Sequence, residues 1–310
     1  VISYRTFRNY DPPKIVDLWN ACVAGHRALF LRGATLLEYF ILAKPCFDPA
    51  GLHLALDGSQ LVGLSLASAA TGEHGAISVV AVHPNFRRQG VGSRLLQLAE
   101  QYLHEKGARR ASIGEASLAE PFLLGLYGGC ASPGILEDTH EARPFLEKNG
   151  YSVRESHVIL RKSLPRLSPP SDPRFAAIHP GHEVLAGPAR NQGRMRECAL
   201  GPVEAAEMCL RRKSDGAILA RLLLWDMEPF HTGTGHPCVG LLDLQVSESH
   251  RRQGFAKFLL TTALLYLRER SYQAVEALAG SQCPAGRGLA KALGFEQASS
   301  GVTMSKELAS

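Results

Sequence analysis

Arg87-Arg88-Gln89-Gly90-Val91-Gly92 and Arg251-Arg252-Gln253-Gly254-Phe255-Ala256 are two copies of one stretch, 164 residues apart. An apolar run precedes each, at 76–82 and 240–246. An amphipathic pattern follows each. After the first copy, Val91, Leu95, Leu96, Leu98, Ala99, Tyr102 and Leu103 recur at helical spacing. After the second, Phe255, Phe258, Leu259, Leu260, Ala263, Leu264 and Leu267 do so. Each copy therefore reads as a strand, a glycine-punctuated turn and a helix. Backbone N–H groups at such a helix start have no intrahelical partner, and the helix dipole favours an anion there. Glycine allows a phosphate to approach the backbone closely, and the arginines add bidentate charge. A single copy is equally readable as a solvated connection; the repeat in the same context favours a phosphate-bearing ligand. Neither copy contains Gly-x-Gly-x-x-Gly, and no Gly-Lys-Ser/Thr follows, which excludes the dinucleotide-fold and P-loop readings.

The flanking sequence extends the repeat. In the first half, strands are expected over 2–8, 52–56, 61–67, 76–82, 110–114 and 153–160, with an Asp57-Gly58 hairpin signal. Asp11 reads as the N-cap of a helix opened by Pro12 and Pro13. A short helix is expected over 141–149. In the second half, 203–212, 217–225, 240–246, 273–278 and 302–306 read as strands and 286–293 as a helix. Between the halves, 165–173 is rich in proline and reads as an exposed linker. The chain thus divides into 1–164, the linker and 174–310. Self-similarity of this extent argues for duplication.

Composition narrows the rest. The 310 residues suffice for two cores; 45% are hydrophobic and 20% charged, which reads as soluble and globular. No apolar stretch has membrane-spanning length and the first residues lack a signal-peptide core, so a cytoplasmic location and no membrane partner are expected. The net charge of +5 carries no basic run, and no nucleic-acid partner is expected. Seven cysteines are scattered without a Cys-x-x-Cys pair, which argues against a metal site. Cys22 falls on an apolar helix face; Cys130 follows Gly128-Gly129 with no assignable base.

With those residues in view, the chain resembles the GNAT superfamily of acyl-CoA-dependent N-acyltransferases. Its signature, Arg/Gln-x-x-Gly-x-Gly/Ala, is satisfied by both copies. Phe145 to Tyr151 and Leu289 to Phe295 are similar to the family's late helix and Gly-aromatic stop. The resemblance covers nearly the whole chain as a tandem. It implies an α/β protein of two GNAT-like domains, each a twisted, mixed, mostly antiparallel sheet flanked by helices. It also implies acetyl-CoA as cofactor. The backbones of Val80 and Val82, and of Leu244 and Val246, would then hold the thioester and pantetheine. Arg87, Arg88, Gln89, Gly90, Val91, Gly92 and Ser93 would hold the pyrophosphate, as would Arg251, Arg252, Gln253, Gly254, Phe255, Ala256 and Lys257. Many members carry a tyrosine and an asparagine near the late helix; here Leu146 and Ala290 replace the tyrosine, and Thr139 and Cys283 the asparagine. Thr139 retains a hydrogen-bonding group for the cofactor.

Acetyl transfer needs a neutral amine, a polarised carbonyl and a leaving thiolate. Asp243, on the strand before the second turn, is a candidate base or a solvent-facing carboxylate; Val79 stands at the matching position. Glu115, Glu73 and His74 are candidates in the first half. His83 reads as a turn residue, and His231 and His236 as candidates to line a pocket. The insertion 116–145 either shapes an acceptor pocket, with Tyr127 as an acid for the thiolate, or packs against the second half. The first half has the more usual Gly-x-Gly turn and the second has Asp243. The expectation is direct acetyl transfer from acetyl-CoA to a primary amine of a small molecule or peptide. The alternatives are a non-catalytic acyl-CoA-binding protein and a transferase using another acyl donor.

Overall fold

The computed structural model describes residues 1–26, 28–44, 47–69, 73–114, 129–168, 172–189, 205–227 and 235–308. Each half begins with a meander. In the first, β1 (Ile2–Thr6), β2 (Leu52–Asp57), β3 (Gln60–Ala69) and β4 (His74–Val82) pair antiparallel in order, and β5 (Arg110–Ile113) adds in parallel to β4. The short β6 (Ile135–Leu136) follows, then β7 (Ser152–Ser163). In the second half, β8 (His182–Pro188), β9 (Ala205–Arg212), β10 (Ile218–Asp226) and β11 (Cys238–Val246) repeat the meander, and β12 (Ala274–Gly280) is parallel to β11. The chain ends on β13 (Glu296–Glu307). The protein is a mixed α/β structure with a mostly antiparallel sheet.

All the described strands belong to one sheet, and its order departs from a simple tandem. It runs β1-β2-β3-β4-β5-β13-β7-β12-β11-β10-β9-β8, with β6 paired to β13. The last strand of the second half, β13, pairs with β5 of the first; the last strand of the first half, β7, pairs with β12 of the second. The two exchanged strands also pair with each other. As stretches of sequence, we propose to keep 1–164 and 174–310 as the two domains; as packed units, each is completed by the other.

Seven α-helices flank the sheet: α1 (Pro12–Val23), α2 (Ala34–Leu37), α3 (Val91–Glu105), α4 (Ala142–Lys148), α5 (Pro173–Gly181), α6 (Phe255–Glu269) and α7 (Pro284–Ala292) are those among the described residues. Strand alternation, shifted by a bulge at Val62 where Ala55 opposes Gly63 and Leu56 opposes Leu61, sorts their contacts. Leu52, Leu54 and Leu64 meet α1 through Ile15, Leu18 and Trp19, whereas Ala55 and Val62 meet α3 through Val91 and Leu95. The α1 cluster also takes in Cys130, Trp225, Met227, Cys238 and Ala274, so one core spans both halves. Trp225 Nε1 donates to the Cys130 carbonyl at 3.1 Å. Gly240 leaves the space that this indole occupies. The described end of the insertion therefore packs against the second half.

Two local expectations need correction. Asp11 stands at the N-cap of α1, but its side chain makes no cap bond. It accepts instead from Arg5 at 2.7 Å through both oxygens and from the Arg8 N–H. Burial pushes its carboxyl up, and the bonds from Arg5 and Arg8 outweigh that and hold it below the usual range. The stretch after β7 is not simply exposed: Leu164 and Leu167 are in the core of the second half, and Arg268 donates to the Leu167 carbonyl at 2.9 Å. The leucines are three apart and fold under the chain, leaving Pro165 and Arg166 outside. Residues 169–171 lie outside the described set.

A sheet built by exchange should unfold as one unit. Trp19 and Trp225, one in each half and both in the shared core, report it. Variants Trp19→Phe and Trp225→Phe, each followed by the fluorescence of the remaining tryptophan in urea, are expected to show coincident transitions. Well-separated midpoints would mean that the halves are independent.

Candidate functional site

A cleft forms where parallel strands part. β11 pairs with β12 only from Cys238↔Ala274 to Leu241↔Ala277, and then continues alone on that side to Val246. β4 parts from β5 in the same way after Ile77↔Ile113 and runs on to Val82. The cause is visible in the opposite register. Leu66 opposes Val79 and Ala67 opposes Ile77, so Ser78 is extra; Leu223 opposes Asp243 and Leu224 opposes Leu241, so Leu242 is extra. A bulge of this kind sharpens the local twist and bends its strand away from a neighbour.

Beyond each parted strand lies the repeated turn, and the two copies have nearly the same backbone. Arg88 has φ 60° and Gly90 φ 82°; Arg252 has φ 66° and Gly254 φ 92°. Left-handed residues alternating in this way turn successive N–H groups to one side, a concave site for an anion. The first helical bonds run from Arg94 N–H to the Gly90 carbonyl and from Phe258 N–H to the Gly254 carbonyl. The amides of 91–93 and 255–257 therefore precede the intrahelical ladder.

Several side chains of the repeat bond within the turn. Arg87 Nε donates to the Val82 carbonyl at 3.1 Å and Arg251 Nε to the Val246 carbonyl at 3.4 Å. Gln89 donates to the Asn85 carbonyl and Gln253 to the Ser249 carbonyl. The first arginine and the glutamine of each copy thus help to set the shape of the turn, and its amides can receive an anion.

The halves differ around these equal turns. In the second, a cavity of about 1020 Å³ lies between β11 and β12 and reaches the turn. Asp243, Leu244, Val246, Arg252, Gly254 and Lys257 line it, with Cys283 just before α7 and Leu289 from α7. In the first half, Glu141 pairs with both Arg87 (3.6 Å) and Arg88 (3.3 Å). Phe145, at the place of Leu289, lies 3.4 Å from the position of a Cβ at Gly92. Val80 packs in the same cluster as Phe145 and Leu146. Thr139 bonds Asp138 through its hydroxyl, just ahead of α4.

Residues missed from sequence complete the second turn. Arg174, at the start of α5, lies with Nε 3.2 Å from the position of a Cβ at Gly254, and it lines the cavity. Asp172 grips it through two bonds of 2.9 and 2.7 Å and takes a third from Lys257 Nζ at 2.9 Å. Those bonds from Arg174 and Lys257 hold the Asp172 carboxyl well below the usual range. The sequence placed Asp172 and Pro173 in a linker; the helix that starts there, and its position over Gly254, were not legible in it.

The remaining candidates scatter. Asp243 lines the cavity and accepts from Gln245 at 2.8 Å. Glu73 and His74 lie at the start of β4, the end away from the turn, where Glu73 pairs with Arg109. His83 Nδ1 accepts from the Asn85 N–H, as a turn residue does. His236 is exposed just before β11. Glu115, Tyr127 and His231 lie outside the described residues. No helix among the described residues is long and apolar enough to cross a membrane.

Comparisons with known proteins agree with this geometry. The family model described as Acetyltransferase (GNAT) family matches residues 18–127 and 185–295. Among solved structures, the chain is similar to a tandem GNAT protein from the clavulanic acid biosynthesis pathway, with 14% identity and a TM-score of 0.70 over 100% of this chain and 99% of that one. It is also similar to a GCN5-related N-acetyltransferase from Sphaerobacter thermophilus, with 15% identity and a TM-score of 0.65 over 100% and 96% of the two chains. A third is a GCN5-related glucosamine N-acetyltransferase region in a fungal multi-domain β-N-acetylglucosaminidase, with 15% identity and a TM-score of 0.72 over 98% of this chain and 38% of that one. At these identities the likeness is one of fold. No curated protein sequence matches the chain.

The two halves also differ in thiol chemistry. Burial pushes the Cys22 thiol up to about 11, with Arg87 beside it offsetting part of the effect. Cys283 is exposed at the mouth of α7. Brief iodoacetamide treatment at pH 8 is expected to label Cys283 and spare Cys22, read by peptide mass spectrometry. Equal labelling would contradict the described packing of α1.

Proposed function

The chain belongs to the acetyltransferase (GNAT) family, and on that premise we propose that it transfers an acetyl group from acetyl-CoA directly to a primary amine of a small molecule or peptide. We further propose that the cleft of the second half is the cofactor site. The observation that carries this is the conjunction of parted strands, a left-handed amide turn and a cavity of about 1020 Å³ that joins them. That volume is the size expected for a cofactor-sized ligand.

Each part of the cleft has a role in this reading. The unpaired backbone of Leu244 and Val246 offers strand-like hydrogen bonds to an extended amide arm. The amides from Arg252 to Lys257 receive the diphosphate, with Arg174 and Lys257 as charged partners. The bound cofactor supplies an activated thioester. Asp243 is the carboxylate on the cavity wall that meets the acceptor amine and favours its approach. The positions of the missing tyrosines are apolar and buried, Leu146 at 4% exposure and Ala290 at 7%. The leaving thiolate is therefore protonated from elsewhere. The same two residues favour the second reading, an acyl-CoA-binding protein without catalysis.

Calorimetric titration with acetyl-CoA is expected to give one site per chain. Gly254→Val forces a β-branched residue to φ 92° against Arg174 and is expected to weaken binding at least about 100-fold. Gly90→Val should leave affinity within about twofold, since the first turn is not the site in this reading. No binding by the unsubstituted protein would end the proposal.

Catalysis is tested by release of the CoA thiol in the presence of primary amines. Asp243→Asn is expected to lower kcat/KM for the amine about 100-fold while acetyl-CoA affinity is unchanged. Binding without amine-stimulated release would favour the non-catalytic reading.

A further inference from the structure

Asp172 lies in the linker between the halves, yet its side chain works at the second turn. It caps α5 by accepting from the Arg174 N–H at 3.1 Å. The same carboxylate accepts from Arg174 Nε at 2.9 Å, from Arg174 Nη2 at 2.7 Å and from Lys257 Nζ at 2.9 Å. These bonds use the acceptor capacity of both oxygens. Only 5% of the side chain is exposed. α5 is anchored by more than these charges. Phe175 meets Phe258 of α6 edge to face, with ring centroids 5.3 Å apart, and Ile178 is buried in the core of the second half.

Both cations held by Asp172 line the cavity of the second half. Arg174 lies across Gly254, the left-handed residue of the turn, and Lys257 is the last residue whose amide precedes the ladder of α6. Each cation keeps donors for a second acceptor. The guanidinium gives its Nε–Nη2 edge to Asp172 and retains Nη1, and the ammonium gives a single N–H. The first half lacks this arrangement among the described residues. Ser93 stands at the place of Lys257, nothing lies within 4 Å of a Cβ at Gly90, and Glu141 pairs with the arginines of that turn. Arginine and lysine side chains have many rotamers, and ordering them at the moment of binding subtracts from affinity. Two cations already fixed by one carboxylate avoid that cost.

We propose that Asp172 is a positioning residue for the cofactor: it presents Arg174 and Lys257, as a fixed pair, to the diphosphate at the second turn. The connection between the halves is then part of the cofactor site. This rests on the acetyl-CoA binding proposed above. Coulomb's law alone gives this carboxylate the opposite effect, since a negative charge beside the turn repels a diphosphate. Positioning reverses the sign. The carboxylate reduces the cation conformations that binding must remove, and the cations keep their charge-assisted bonds to the anion. The direction in which affinity changes when the charge is removed therefore separates the two accounts.

Asp172→Asn keeps an oxygen to cap α5 and removes the charge. Calorimetry of the full chain with acetyl-CoA is expected to show affinity lowered about tenfold in this variant. In a chain that carries Arg174→Met and Lys257→Met, adding Asp172→Asn is expected to cause no further loss, because no cation is left to position. In the assay of CoA thiol release, Asp172→Asn is expected to raise KM for acetyl-CoA about tenfold and to leave kcat within about twofold. Unchanged or tighter binding in Asp172→Asn, an equal loss in the chain without the two cations, or a fall in kcat at unchanged KM would overturn the proposal. If the unsubstituted protein does not bind acetyl-CoA, the cofactor reading falls and the positioning role with it. Binding that Asp172→Asn leaves intact removes the positioning role alone.

Discussion

A strand that lines a cleft on one side must still satisfy its other edge, and in this protein the edge of β12 is satisfied by the other half of the chain. From Ala274 to Gly280 its backbone is paired with Ser163 to His157. The pairing holds β12 in place while β11 bends away at its bulge, and the gap between them is the cleft. Unpaired backbone amides in a buried sheet are costly, so the gap can exist only where a ligand or water meets the freed groups. The open arm of β11 is thus affordable because the rest of the sheet is continuous from β1 to β8.

Equal sequence did not produce equal surroundings. The two turns share their left-handed residues and their internal bonds, because Arg-Arg-Gln-Gly fixes both. What differs comes from farther away: Glu141 and Phe145 reach the first turn, whereas Asp172 and Arg174 reach the second. Duplication preserved the local device and left its neighbours free to diverge.

This division also marks what could be read from the chain alone. The helices after the turns, the hairpin at Gly58 and the strands before the turns follow from period and glycine placement, which are local properties. The family resemblance rested on the same local stretch. Strand exchange was not legible, because a ladder of backbone bonds looks alike whichever half supplies it; 152–163 and 296–307 carry no pattern that names β5 or β12 as neighbour. Asp11 illustrates the limit on a smaller scale. Its place before Pro12 suggests a cap, yet Arg5 on the adjacent strand takes its carboxylate. Arg174 was passed over for the same reason: it matters through what lies against it in space.

The exchange bears finally on how the molecule comes into being. Arg110 of β5 meets Glu307 of β13 across 197 residues of chain. A ribosome adding roughly 5–20 residues per second leaves β5 with a bare edge for on the order of ten seconds or more after it emerges. During that interval the first half displays an unpaired strand to every other nascent copy nearby, a standing invitation to pair in trans. Protein quality control thus stands among the pressures on the sequence of β13.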